Sequence, residues 1–378
     1  MSPHLAETLQ APQSDKLFFA HLLAHGPSSR AAIAAAHNLS RPTASEAAGR
    51  LVQRGLIHAL AKEAGASGKR GRVPELYEIS HDVGATLTLL CEDNHMVGII
   101  YDLRGQEIVL EERAIAWGEP AEVERLVKEF LLHLVQQVDT KILAATVSVL
   151  APVDPNTQQI RFFSPQNLGE SADLLATAQQ ALGCPVHVDN HMAWSLKYEI
   201  HQGVAQKHES VLSVHLGAAI GATFALEKVI YRGASGFAGA LSYVTDNGVF
   251  LRDTIQKLGV VDSSSLATRS LRLLDIPATV EKIMAAPDRG EAKEYLEIFS
   301  RHVANALMIV DPACLVLTGP MAAYPEFAQL IKEKIEQLLP WHTVEVLLSE
   351  DGAGAVRRGA ALGATQLALT TLGLYLEQ

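Results

Sequence analysis

Hydrophobic residues along the first sixty positions recur at helical spacing. Leu17, Phe18, Phe19, Leu22 and Leu23 predict a first helix over 15–24. Behind it the stretch SRAAIAAAHNLSRPTASEAAGRLVQRGLI, from Ser29 to Ile57, predicts two short helices and a turn. Ser29 is placed to cap the run 30–36, His37 to Leu39 break it, and Ser40 can cap a second helix with Pro42 in its first turn. Ile33, Ala34, Leu39, Ala44, Ala47, Leu51 and Leu56 form an inward stripe. Ser40, Arg41, Thr43, Ser45, Arg50 and Arg54 are left largely outside. A short strand is expected at 76–79.

From Gly84 the pattern changes. Strands are predicted at 85–91, 96–101 and 106–113, a long amphipathic helix at 120–138, and a buried strand at 142–150. A helix at 174–182, a short strand at 186–188 and a helix from Asn190 to about Gly203 follow. The plan then repeats in outline. Strands at 211–216, 222–226 and 229–231 lead into the Gly-rich RGASGFAGALSY and helical stretches at 253–258 and 264–274. Helices at 277–286 and 290–310, a strand at 314–317, a helix at 325–339 and a strand at 344–348 come next. The small-residue run 353–372 suits a closely packed terminal helix. This order predicts two α/β lobes of similar plan, each a mixed sheet with helices on both faces, and a cleft between them. No tandem repeat of fixed period underlies the similarity. The expected division is a head at 1–80, a first lobe at 81–204 and a second at 205–352, with the helix of 353–378 packing back on the first lobe.

Charge divides along the same line. The net charge is −11, but residues 1–80 hold nine Lys/Arg against six Asp/Glu and the rest 22 against 36. A small basic head on an acidic body suits a modular regulator, in which only the head approaches phosphates. The N-terminus has no basic region leading into an apolar core, and no apolar run reaches membrane-spanning length. Cys91, Cys184 and Cys314 are isolated, which argues for a reducing compartment and against a cysteine-built metal site. A cytoplasmic protein is expected.

Short polar side chains on the leading turn of the 40–54 helix, with arginines around them, suit a helix that enters a major groove and touches phosphates. An ordinary helical hairpin with a wet basic face has the same pattern. After Ile57, Gly65, Gly68 and Gly71 interrupt a basic stretch carrying Lys69, Arg70 and Arg72. A two-stranded wing with these cations at its tip fits, and so does a Gly-rich linker.

Taken together, the stretches DLRG at 102–105, SPQNLG at 164–169, VHVDN at 186–190, YRGASGFAG at 231–239, DPACLVLTGP at 311–320 and GAALGA at 359–364 resemble the ROK family of repressors, open reading frames and kinases. The head followed by GKRGRVPEL resembles its regulator branch. The resemblance spans about Asp15 to Leu372. It implies a winged helix-turn-helix followed by a two-lobed body of the actin-like ATPase (ribonuclease H-like, sugar-kinase) fold.

The departures bear on chemistry. Where the family's kinases carry a phosphate-handling Asp-Gly-Gly-Thr loop, this chain has LCEDN at 90–94, and Glu92 and Asp93 would repel a polyphosphate. The second phosphate region reads GAAIG at 217–221, with its hydroxyl lost. Asn167 and Asn190 match residues that contact sugar hydroxyls in the family, but the catalytic Asp is replaced by His191. The sugar-binding Glu is replaced by Ala240. The zinc-site His corresponds to Tyr243, and the zinc cysteines are replaced by DNGVFLRD at 246–253. No catalytic residue, cofactor or metal is therefore expected. Asn167, Asn190, His191 and Tyr243 are the candidate effector contacts, with His215 and Trp194 nearby. Trp194 also reads as core, His215 as a structural histidine and Asn190 as a helix cap.

The resulting expectation is a sequence-specific regulator of double-stranded DNA, a repressor of metabolic genes. It would bind a palindromic operator as a homodimer or homotetramer through Ser40, Arg41, Thr43, Ser45, Arg50, Arg54, Lys69, Arg70 and Arg72, and sense a small molecule such as a sugar. The alternatives are an ATP-dependent carbohydrate kinase with an accessory DNA-binding head, and a scaffold whose hairpin faces another protein.

Overall fold

The computed structural model describes residues 11–60, 75–92, 95–116, 119–160, 172–217, 220–246, 248–251, 276–350, 352 and 354–376. The expected helices at 253–258 and 264–274, the basic residues Lys69, Arg70 and Arg72, and Asn167 lie outside them.

The head contains α1 (Gln13–His25), α2 (Arg30–Ala36) and α3 (Arg41–Gln53). Ser29 caps α2 by accepting from Ala32 N–H at 3.2 Å, and Ser40 caps α3 by accepting from Thr43 N–H at 3.2 Å. Phe18, Phe19, Leu22, Ile33, Ala47 and Leu51 are buried at the centre, as the apolar spacing demands. A strand that the pattern did not announce, β1 (Ser28–Ser29), joins β2 (Ile57–Ala59) and β3 (Leu76–Ile79) in an antiparallel sheet of order β1-β3-β2. Ile57 pairs with Ile79 and Ser28 with Tyr77. Residues 61–74, between β2 and β3, where a wing was expected, lie outside the described residues. The head's core is continuous with the body through Leu103, Leu143, Ala144, Ala368 and Leu374.

The body carries two five-stranded sheets of one topology. The first, from β4 (Ala85–Cys91), β5 (His95–Asp102), β6 (Glu107–Ala114), β7 (Ile142–Val149) and β8 (Val186–Asn190), has the order β6-β5-β4-β7-β8. The second, from β9 (Val211–His215), β10 (Gly221–Leu226), β11 (Val229–Tyr231), β14 (Cys314–Thr318) and β15 (Glu345–Leu348), has the order β11-β10-β9-β14-β15. In each, the first three strands run antiparallel and the last two parallel to the central one. A small ribbon, β12 (Thr245–Asp246) with β13 (Val249–Phe250), follows the Gly-rich stretch. Helix α4 (Pro120–Val135) buries Val123, Val127, Phe130, Leu131 and Leu134 on the first sheet beside α5 (Leu174–Leu182). On the second sheet lie α7 (Ile276–Ala285), α8 (Gly290–Val310) and α9 (Pro325–Leu338), with Tyr295, Phe299, Phe327 and Ile331 buried.

Two helices cross between the lobes. Sequence order puts α6 (His191–His201) with the first lobe, yet Ala193, Leu196 and Ile200 pack on Val211, Ala225, Cys314 and Val316 of the second sheet. Conversely α10 (Gly354–Thr371), which follows the second lobe, lies on the first sheet. There Thr146 Oγ1 donates to the Ala360 carbonyl at 3.0 Å and stands 3.2 Å from Thr88 Oγ1. The two helices touch at Gly359 and Gly363. A methyl group at Gly359 would overlap the Trp194 carbonyl, and one at Gly363 would overlap the Trp194 ring. This close crossing explains the small-residue run in α10.

Candidate functional site

On the head, α3 presents Arg41 and Ser45 exposed and Thr43 half-buried. Ser40 and Thr43 hydroxyls sit 2.7 Å apart at its N-terminus. The positive end of the helix and these hydroxyls form a surface suited to anionic oxygen. Arg30, a residue that the sequence pattern did not single out, joins them. Its Nη1 donates to Ser45 Oγ at 3.4 Å, its other amine meets Glu75 at 3.3 Å, and its guanidinium lies 5.5 Å from the Tyr77 ring centre. Its contribution depends on the fold, because fifteen positions separate it from Ser45 in the chain.

The two other arginines of α3 are committed to the protein. Arg50 Nε donates to both oxygens of Asp15, at 3.1 and 3.0 Å, and Nη2 donates to Asp15 Oδ1 at 2.5 Å and to Ser14 at 3.1 Å. Asp15 is 1% exposed, so this pair fastens α3 to α1. The bond to Asp15 raises the Arg50 pKa still further. Arg54 donates to the Leu372 carbonyl at 2.6 Å, at the end of α10. The helical pattern marked both as outward; α1 and α10 provide partners that the pattern could not reveal.

In the body, the ends of β4, β7 and β9 and the start of α6 come together around His191. His191 is 8% exposed, and both its nitrogens have protein partners. Nδ1 lies 3.0 Å from Ser148 Oγ, and Nε2 lies 3.2 Å from Glu92 Oε1. An imidazole engaged at both nitrogens has neither left to accept a proton from a substrate hydroxyl. The Glu92 carboxylate stands at the strand end where the resemblance puts the phosphate loop. His215 lies beside this pair. Burial, then the neighbouring His191, pushes it down to about 4 against the pull of Glu92. Its ring is wedged between Gly217 and Gly319, where an added methyl would stand 2.9 and 2.8 Å from ring atoms.

Asn190 is the N-cap of α6. Oδ1 accepts from Met192 N–H at 2.7 Å and Nδ2 donates to the Ala151 carbonyl at 2.7 Å. Each end of the amide keeps capacity for one more bond. Trp194 is buried at 3% exposure, edge-on to His187 at 5.4 Å and against α10, which is its core reading. Tyr243 lies in a turn of 3₁₀ helix, its ring 6.5 Å from that of Phe250. Next to Asn190, the buried Asp189 receives Arg232 at 2.8 and 2.6 Å. Burial works against its charge, yet His187 and Arg232 hold its carboxyl below the ordinary range. Burial, with Arg232 adding to it, pushes Lys197 down to about 8.

A helical head on two lobes of repeated topology, joined by exchanged helices, defines a protein with a sugar-kinase-like body. The ROK family model matches residues 94–247. The xylose repressor of Bacillus subtilis is 21% identical over 242 residues, 63% of this chain; the chain spans 62% of that relative's length. The crystal structure of a ROK family transcriptional regulator, a homologue of the E. coli MLC protein, superimposes with a TM-score of 0.68 at 18% identity, covering 95% of this chain and 97% of the other. A ROK hexokinase from Thermus thermophilus gives 0.58 at 19% identity, covering 74% of this chain and 97% of the other. The fold thus serves regulators and kinases alike. Among the described residues no helix is long and apolar enough to cross a membrane.

Proposed function

We propose that the protein is a sequence-specific DNA-binding transcriptional regulator, a repressor of metabolic genes, with a body that has lost phosphotransfer. The observation that carries this reading is the division of polar groups between head and cleft. In the head, Ser40, Arg41, Thr43, Ser45 and Arg30 are gathered around the N-terminal turn of a capped helix. In the cleft, the residue at the family's catalytic base position is locked between Ser148 and Glu92. Phosphoryl transfer requires a free base and a cradle for phosphate; both His191 nitrogens are engaged, and the carboxylate at the strand end repels phosphate.

In this reading a two-fold oligomer, a homodimer or homotetramer, places paired α3 helices in successive major grooves of a palindromic operator. Arg41, Thr43 and Ser45 read or position, and Lys69, Arg70 and Arg72 of the wing contact phosphate. The body serves oligomerisation and holds a small molecule, a sugar or a derivative, through Asn167, Asn190 and Tyr243, with His191 held beside them. No cofactor or metal takes part. The test is selection of bound fragments from the source genome by the purified full chain, followed by measurement on the recovered duplex. Thr43→Ala or Ser45→Ala changes sequence preference, whereas Lys69→Ala weakens all duplexes about equally. The competing reading is a carbohydrate kinase, favoured by the kinases that share the fold. ATP affinity by calorimetry together with sugar-dependent turnover would establish it and overturn ours.

A further inference from the structure

Three imidazoles meet at the corner where α1 ends and α2 turns toward α3. His21 and His25 stand one turn apart on α1 with ring centres 4.5 Å apart. His37, the C-cap residue of α2, sets its ring edge-on to His21 at 5.2 Å, with Nε2 3.1 Å from His21 Nδ1. Among the described residues no group of three or more His, Cys, Asp or Glu is arranged to hold a metal ion, so the contact is read as a hydrogen-bonded clasp.

The clasp sits at the start of the recognition segment. His37 N–H donates to the Ile33 carbonyl at 3.1 Å and Leu39 N–H to the Ala34 carbonyl at 2.9 Å. Asn38 between them is left-handed, with φ of 53°. The next residue, Ser40, is the cap of α3. Fixing the His37 ring on α1 therefore fixes the corner from which α3 departs.

A bond between two imidazole nitrogens needs one proton on the line between them. A neutral pair supplies it, and so does a pair carrying one extra proton. With two extra protons both nitrogens bear hydrogen, no acceptor remains, and two positive rings face each other. We propose that this clasp makes the head responsive to pH: acidification opens the His21–His37 contact, frees the corner at 37–40 and weakens DNA binding by α3. The proposal rests on the reading of α3 as the DNA-contacting helix. Burial, then His25 on its own helix and His37 on α2, lowers the His21 pKa, and these two imidazoles are the titratable groups acting on it. The sign is diagnostic, because added positive charge alone would tighten binding to phosphate.

The test uses the full chain, its His37→Gln variant and its His25→Gln variant, at constant ionic strength from about pH 7.5 to about pH 5.5, where histidine gains its charge. Glutamine in place of His37 keeps a polar tip that does not titrate. Anisotropy on a genome-selected duplex should record a fall in wild-type affinity on the order of tenfold, the change that one unit of displaced pKa carries. His37→Gln should stay level or bind more tightly, and His25→Gln, which keeps the clasp but removes a neighbour that lowers the His21 pKa, should shift the response to higher pH. A wild-type affinity that holds or rises, or a parallel fall in His37→Gln, overturns the proposal. If no duplex binds at any pH, the DNA reading fails on its own. The clasp is then decided by the NMR titration of the His21 ring and amide-exchange protection of residues 37–40. A His21 titration unchanged by His37→Gln overturns it.

Discussion

Arg54, at the C-terminal end of α3, donates a hydrogen bond of 2.6 Å to the carbonyl of Leu372, just beyond α10. A cation on the last carbonyls of a helix is also favoured by the helix dipole. The contact joins residues 318 positions apart and ties the recognition-like helix to the element that crosses between the lobes. Beside it, Ala11 N–H donates to the Gly373 carbonyl at 3.2 Å, and Leu374 is buried in the head's core. The head is therefore seated on the first lobe by packing and by hydrogen bonds.

Replacing Arg54 by Ala should cost about 1 kcal/mol, the ordinary worth of one exposed hydrogen bond. The expected signature is local: faster amide exchange at residues 372–375 and at the end of α3, with the denaturation midpoint of the body unchanged. Uniform loss of protection throughout the head would contradict it.

Arg50 and Asp15 should behave as a structural pair. Removing one partner of a buried pair costs about 3–5 kcal/mol, and the partial exposure of Arg50 brings the expected loss for Arg50→Met toward about 2 kcal/mol. Chemical denaturation of the head measures it. Arg50→Lys should recover little, because an ammonium cannot reproduce the forked contact with Asp15 and Ser14. If Arg50→Met keeps full stability while losing DNA affinity, the arginine acts on DNA directly.

The crossing of α6 and α10 should tolerate no side chain at Gly359. Gly359→Ala forces its methyl into the Trp194 carbonyl, and overpacking of this kind costs roughly 1–3 kcal/mol. A control at Gly105, where an added Cβ meets nothing within 4 Å, is still strained by its φ of 83°. Gly49, also open and without that strain, is the better control and should gain helix stability as Ala, by up to about 1 kcal/mol. Melting temperatures of the three variants give the order.

Stability should fall with acid through His215. Its folded value of about 4 lies below the ordinary histidine value of 6.5, so the unfolded chain binds the proton more readily. The stabilising contribution is present above about pH 6.5 and is lost as pH falls from there toward 4, by at most about 3 kcal/mol. His215→Gln should flatten the stability profile in that window. An unaltered slope in the variant would place the titrating group elsewhere.

The chain's own pattern determined much of this protein. Period and capping fixed α1 to α3 through Ser29 and Ser40, because helix boundaries depend on near neighbours. A near-continuous apolar run marked β7 as a buried strand and 85–91 read as a strand, and both are buried along their whole length. What required tertiary structure was the partner of each polar group. Arg50 and Arg54 occupy outward positions by helical period, yet Asp15 and Leu372 reach them from elements far along the chain. Arg30 reaches Ser45 by the same route. His191 was legible as a substitution for an expected carboxylate, but its capture between Ser148 and Glu92 was not, because β4, β7 and α6 meet only once the first sheet forms. The exchange of α6 and α10 between lobes was equally hidden, since periodicity says which face of a helix is apolar and not which sheet it covers.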